Sequence, residues 1–251
     1  MKPIIVLKIG GNEIDDPHFL DGLVEAMAVL RLEATPVLVH GGGKEIARLQ
    51  SALGLEPRFV EGLRVTDEAS LAIVEMVLSG AVNKRLVARL VAQGIPAVGL
   101  SGIDGGLLRV RRLEHPAGDL GWVGEITDVQ VPVLGLFLDR GMVPVVSPIS
   151  LGPEGHSYNV NADHAAMAIA RALGAASLVF VTNVPGVMAC GQVVPRLTAS
   201  EAEAWIAQGI ITGGMVPKVR SALQVVAAGV RQARIVDLAG LRSGGGTVVT
   251  R

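Results

Sequence analysis

Aromatic residues make up only 3% of this 251-residue sequence, although half of it is hydrophobic. The core must therefore be aliphatic, rich in valine, leucine and alanine, as in parallel sheets whose strands are buried on both faces. Cysteine is almost missing. Cys190 stands alone, which excludes an internal disulfide and a cysteine metal cluster and fits a reducing compartment. Nor is charge of one sign in excess. With 22 basic and 23 acidic residues the net charge is −1, so no overall field would draw nucleic acid or an anionic membrane. The five histidines (His18, His40, His115, His156 and His164) lack zinc-ligand spacing, and no metal-ligating set stands out. His40, just before three glycines, reads as a structural turn residue rather than a general base.

Long apolar runs are missing too. The longest uncharged stretch, Ala172 to Pro195, contains Asn183, Gln192, Pro185, Pro195 and glycines. That composition is wrong for a helix in lipid and reads as a soluble strand–turn–strand segment. At the N-terminus Lys8 would interrupt any signal-peptide apolar core, so the expected location is cytoplasmic. The common phosphate and esterase signatures are absent as well. No GxxxxGK[ST] or GxGxxG occurs, and Gly99-Leu100-Ser101-Gly102 is not a GxSxG elbow.

What is present is an alternation of strands and helices. Ile4-Ile5-Val6-Leu7 begins a buried strand that ends Lys8-Ile9-Gly10-Gly11. Helical spacing follows over Phe19–Leu32, then a strand Pro36–Val39, the turn His40-Gly41-Gly42-Gly43 and a helix Lys44–Leu53. A short hairpin within Arg58–Asp67 precedes a long helix, Glu68–Gln93, interrupted near Gly80. Strands are expected at Ala97–Leu100, Val143–Val146, Ser177–Thr182, Ala233–Asp237 and Gly246–Thr250, and a β-hairpin within Leu107–Ile126. Further helices are expected at Val131–Arg140, Ala165–Leu173, Ala199–Gln208 (capped by Thr198 or Ser200) and Lys218–Ala228. Such alternation indicates an α/β fold, a parallel sheet covered on both faces, with one continuous sheet and a boundary between two halves near Gly174.

A lysine in a buried strand is costly unless an anion awaits it, and the glycines after it let backbone N–H groups approach that anion. The same grammar recurs at His40-Gly41-Gly42-Gly43 and at Gly213-Gly214-Met215-Val216-Pro217-Lys218. Lys8 and Lys218 are thus candidates for stabilising a transferring phosphoryl group, with Asp163 between them to hold both ammonium groups. Taken singly, each such residue is more often an ordinary surface charge or helix cap.

Six stretches in collinear order resemble the amino acid kinase family, in its branch acting on N-acetylglutamate. They are Lys8-Ile9-Gly10-Gly11, His40-Gly41-Gly42-Gly43, Gly62-Leu63-Arg64-Val65-Thr66-Asp67, Val82-Asn83-Lys84, Asn159-Val160-Asn161-Ala162-Asp163 and Ile211-Thr212-Gly213-Gly214-Met215-Val216-Pro217-Lys218. The resemblance implies a three-layer αβα sandwich around a mainly parallel sheet. Residues 1–173 would form an N-terminal lobe for the amino-acid substrate and dimerisation, and 174–251 a C-terminal lobe for ATP. It implies catalytic roles for Lys8, Lys218 and Asp163, and phosphoryl and substrate contacts from Gly10, Gly11, Gly42 and Gly43. Arg64 would hold the substrate α-carboxylate and Asn159 the acetylated amino acid. Asn183, Val184, Pro185, Gly186, Val187 and Met188, with Ile210, Ile211 and Thr212, fall where the family contacts the nucleotide. The implied reaction takes N-acetyl-L-glutamate and ATP with Mg²⁺ to an acyl phosphate, for arginine biosynthesis. Its carboxylate nucleophile is already ionised at neutral pH and needs no general base.

Three features depart from the family pattern: Lys44 after the glycines, Asn183 in place of the usual Asp, and a basic cluster of Arg109, Arg111 and Arg112. The cluster supports an alternative, a kinase for aminoadipate or glutamate attached to an acidic carrier protein, because a basic patch would steer such a partner. A non-catalytic amino-acid-binding regulator is the third reading, which the joint presence of Lys8, Asp163 and Lys218 opposes. The first strand begins almost at Met1, so a homodimer with little arginine sensitivity is expected rather than a hexamer.

Overall fold

The computed structural model describes residues 2–11, 13–189 and 191–251; Cys190 lies outside them. In chain order the first elements are β1 (Ile4–Ile9), α1 (Pro17–Glu33), β2 (Thr35–His40), α2 (Gly43–Ala52), β3 (Phe59–Val60), β4 (Leu63–Arg64) and α3 (Glu68–Glu75). A π-helical segment (Met76–Val82) joins α3 to α4 (Asn83–Ala92). Then come β5 (Ala97–Gly102), β6 (Leu108–Arg112), β7 (Gly124–Val129), α5 (Val131–Leu138), β8 (Val143–Leu151), β9 (Ser157–Asn159) and α6 (Ala162–Ala172). The remainder is β10 (Ser177–Val181), β11 (Met188–Ala189), β12 (Gln192–Val193), β13 (Arg196–Thr198), α7 (Ala199–Ala207), α8 (Met215–Ala227), β14 (Ala233–Val236), α9 (Leu238–Ser243) and β15 (Thr247–Thr250).

One sheet runs through the molecule in the order β13-β15-β14-β10-β1-β2-β8-β6-β7, with β5 and β9 also paired to β8. Its centre is parallel: β1 pairs with β2 on one side and β10 on the other, and β2 pairs in parallel with β8. The exceptions are β14 with β15, β6 with β7, and β8 with β9. Two aliphatic cores lie on the two faces. One holds Val6, Leu178 and Ile235 under α6 and α8, through Ile169 and Val225. The other holds Leu7, Ile9 and Leu38 under α1, the α3–α4 rod and α9, through Met27, Val82 and Leu241. The αβα sandwich is therefore present, and its continuous sheet follows from strands apolar on both faces.

The π-helical segment explains the interruption expected near Gly80: the rod does not stop there but widens by one residue per turn. Thr198 rather than Ser200 caps α7, in a reciprocal box with Glu201. Helix α6 begins at Ala162, three residues earlier than expected, because Asn161 accepts from the Asp163 N–H as its cap. The strand–turn–strand expected within Ala172–Pro195 continues past its turn as the short β11 and β12, while β9, β13 and α9 are additional to the expected elements.

Candidate active site

Because β1 feeds β2 to one side and is met by β10 on the other, chain connections diverge at its carboxyl end and leave a crevice there, the usual ligand position in open α/β sheets. The predicted glycines lie in the turns after β1 and β2 and at the start of α2, Asp163 and Lys218 in the first turns of α6 and α8, Lys8 on β1, Arg64 on β4 and Asn159 on β9. A side chain directly above Gly11 would lie 2.7 Å from the Gly42 backbone nitrogen, so the two turns pack backbone to backbone. On Gly42 a Cβ would meet Leu78 of the π-helical segment at 2.8 Å.

Two cavities of about 210 and 220 Å³ share this crevice, and Lys8 and Asp163 line both. Lys8 points to the α6 side of β1, the face it shares with Val6. Its Nζ lies 2.8 Å from Asp163 Oδ1, a contact of charge on charge rather than a directed hydrogen bond. Ser221 Oγ of α8 donates to the other carboxylate oxygen at 3.4 Å. Lys218 lines the first cavity with Lys8, Gly10 and Glu13, but among the described residues it ion-pairs with no carboxylate. The expectation that Asp163 holds both lysines is corrected accordingly: Asp163 contacts Lys8 and Ser221, and among the described residues no ion pair joins it to Lys218.

The second cavity is lined by Gly11, Gly42, Gly43, Arg64 and Asn159. Arg64 is 8% exposed, and burial lowers its pKa from the ordinary value, yet it meets no carboxylate among the described residues. Its Nη2 donates to the Gly43 carbonyl at 3.1 Å, Nη1 donates to Gln50 Oε1, and the Phe59 ring lies 4.6 Å from its guanidinium carbon. Asn159 Nδ2 donates to Thr66 Oγ1 at 3.1 Å, and Thr66 Oγ1 donates to the Arg64 carbonyl at 2.9 Å. Arg64 and Asn159 are thus braced by one hydroxyl.

His40 is fully buried, and desolvation pushes its imidazole down to about 4. The Gly41 carbonyl can only accept, so Nδ1 carries the proton and donates to it at 3.1 Å; Nε2 then accepts from Asn83 Nδ2 at 3.1 Å. Asn83 also donates to Val145 O at 2.9 Å, which fixes its amide orientation. His40 is a structural residue that holds the glycine turn by its carbonyl, as the sequence suggested.

Of the nucleotide-side residues, none lines either cavity, although Thr182, next to Asn183, does. Val187 and Ile211 are buried in the aliphatic core, so only their backbones can meet a ligand; Asn183, Pro185, Met188, Ile210 and Thr212 are exposed, and Val184 and Gly186 complete the turn after β10. Lys44 is exposed. Glu13 and Gln50 were missed. Glu13 has no motif around it, and Gln50 occupies an apolar-looking helix face whose partner lies fourteen residues away. In the basic cluster Arg111 pairs with Glu125 at 2.8 Å and Arg112 with Asp119 at 2.7 Å, so two of its three charges are balanced locally.

Mg²⁺ typically keeps several waters and is held by one or two carboxylates together with substrate phosphates. Glu13 and Asp163, the carboxylates of the first cavity, fit that demand; no cluster of three or more candidate ligands exists among the described residues.

Residues 3–237 match the family model described as "Amino acid kinase family". The acetylglutamate kinase of Roseiflexus sp. (strain RS-1) is 55% identical over 249 residues, covering 99% of this chain and 94% of that protein. Its counterpart from Roseiflexus castenholzii is 54% identical over 248 residues, covering 99% and 95%. Among solved structures, that of smu.665 from Streptococcus mutans UA159 superposes with a TM-score of 0.81 at 32% identity, covering 100% of this chain and 99% of that one. With the crevice, the paired cavities and this similarity over its whole length, the chain belongs to the amino acid kinase family.

Proposed function

We propose that the protein transfers the γ-phosphoryl group of ATP to the side-chain carboxylate of N-acetyl-L-glutamate, giving N-acetyl-γ-glutamyl phosphate for arginine biosynthesis. The observation that carries this reading is the Lys8–Asp163 pair standing where the two cavities meet, with Lys218 on one side and Arg64 and Asn159 on the other. The curated relatives named above, acetylglutamate kinases matched over nearly their full length, support it.

In this reading the amino acid occupies the second cavity. Arg64 takes its α-carboxylate in a bidentate fork, and Asn159, steadied by Thr66, takes the acetamido group. The γ-carboxylate then faces Lys8 and the N–H groups of the glycine turns. ATP occupies the first cavity, with residues 174–251 supplying the nucleotide contacts and Lys218 facing the γ-phosphate. A carboxylate oxygen attacks the γ-phosphorus as the bond to the bridging oxygen breaks, and that electron pair leaves on ADP. No proton moves, because the attacking carboxylate is already ionised at neutral pH and needs no general base. Catalysis reduces to aligning two anions and offsetting their repulsion with Lys8, Lys218 and N–H dipoles. Mg²⁺ arriving with the nucleotide would be held by Glu13 and Asp163 and would neutralise phosphate charge.

Acyl phosphate trapped as hydroxamate tests the reading, with N-acetylglutamate, N-acetyl-aminoadipate, glutamate and aspartate compared in parallel. ATP-dependent product with N-acetylglutamate alone is expected. Nucleotide binding without turnover on any free amino acid would sink it in favour of a carrier-bound substrate.

A further inference from the structure

Gln50 lies on α2 and is 1% exposed, an amide buried beside a buried cation. A buried amide is costly unless both of its ends are satisfied. Here both are: Oε1 accepts from Arg64 Nη1, and Nε2 donates to Ser70 Oγ at 2.9 Å. Ser70 in turn donates its backbone N–H to Asp67, the cap of α3, at 2.8 Å. The chain Arg64–Gln50–Ser70–Asp67 therefore ties β4 to α2 and α3. On its other side Arg64 is held by one further protein acceptor, the Gly43 carbonyl, and by the Phe59 ring. An amide can orient a guanidinium without neutralising it. A carboxylate at the same place would orient it equally well but would compete with an incoming carboxylate for the same charge.

We propose that Gln50 is a positioning residue that sets specificity: it aims the Arg64 guanidinium at the α-carboxylate of the amino-acid substrate while leaving its charge free for that carboxylate. The inference rests on the assignment of Arg64 made under the proposed function. Without Gln50, Arg64 keeps one anchor and can swing about it, so the loss falls on substrates that carry an α-carboxylate and spares those that do not.

The test uses N-acetylglutamate and 4-acetamidobutyrate, the same acylated chain without the α-carboxylate, read as turnover or, where turnover is slow, as competition with N-acetylglutamate. Gln50→Met keeps the volume and removes the acceptor. It is expected to raise KM for N-acetylglutamate roughly 10- to 100-fold, the range for losing a hydrogen bond to a charged group. KM for ATP and the response to 4-acetamidobutyrate should stay at the parent values. Gln50→Glu should show the same selective KM increase with the melting temperature retained, and it carries the test if Gln50→Met does not fold. Equal losses on both ligands, or no loss, would overturn the proposal. Arg64→Met separates the two assignments. If it fails to discriminate the ligands, the role of Arg64 falls; if it discriminates and the Gln50 variants do not, only the role of Gln50 falls.

Discussion

At the scale of single residues, the proposed chemistry depends on charges held but not consumed by the protein. Among the described residues Lys8 is steadied by Asp163, Lys218 lines the cavity without a carboxylate partner, and Arg64 is oriented by neutral groups. Lys8 and Arg64 are thereby oriented, and Lys218 lines the same crevice. Both members of the Lys8–Asp163 pair are mostly buried, at 19% and 30% side-chain exposure, so desolvation offsets much of their attraction and the pair is a weak source of stability. Function and stability should separate accordingly. Lys8→Arg and Lys218→Ala are expected to lower kcat by about 10²–10³-fold, the range for removing one stabilising donor from a transition state, with the melting temperature held near that of the parent. Unchanged kcat in either variant would remove the assigned role, and circular dichroism on the same samples checks the fold.

At the scale of elements, the glycine turn after β2 is held from behind by His40 and Asn83, which link β2 to the first residue of α4. This link has a pH signature. Burial holds the His40 imidazole near 4, whereas in the unfolded chain it titrates at about 6.5. Between those values the unfolded state binds the extra proton, so stability falls as pH drops from about 6.5 towards about 4 and is unaffected by this group above 6.5. The full difference is on the order of 3 kcal/mol. Chemical denaturation at pH 7 and at pH 4.5 should therefore show a shallower acid loss in His40→Gln than in the parent, even if the variant is less stable at pH 7. Equal acid slopes would mean that His40 is not the group responsible. Much at this scale was legible from local pattern. The strand into Lys8, the helices of 3.6-residue period and the weak point near Gly80 all appear where periodicity and glycine place them. The elements not foreseen are short. Three-residue β9 has no alternation long enough to read, and six-residue α9 contains a glycine that argues against a helix until Asp237 caps it.

At the scale of the whole molecule, one sheet carries both halves of the site, so the two cavities cannot be separated without breaking the β1–β10 and β1–β2 pairings. Large apolar side chains remain exposed outside the crevice, among them Leu53 and Met76. A groove lined by Leu49, Ala52, Met76 and Val77 continues that patch along α2 and the π-helical segment. We expect this face to be covered in a homodimer; light scattering should give the mass of two chains, and a stable monomer or a hexamer would remove the expectation.

The sequence by itself determined the α/β class, the aliphatic two-faced sheet and the residue types suited to an anion, because strand and helix periods and glycine turns are local properties of the chain. It also marked Lys8, Asp163 and Lys218 as candidates, with the expectation that Asp163 would hold both lysines. Only the tertiary structure decided that Asp163 meets Lys8 rather than both lysines, that His40 donates to the Gly41 carbonyl, and that Gln50 braces Arg64. Each of those depends on how helices seat against the sheet and on the rotamers that close packing permits, and neither is encoded in the spacing of residues along a single element.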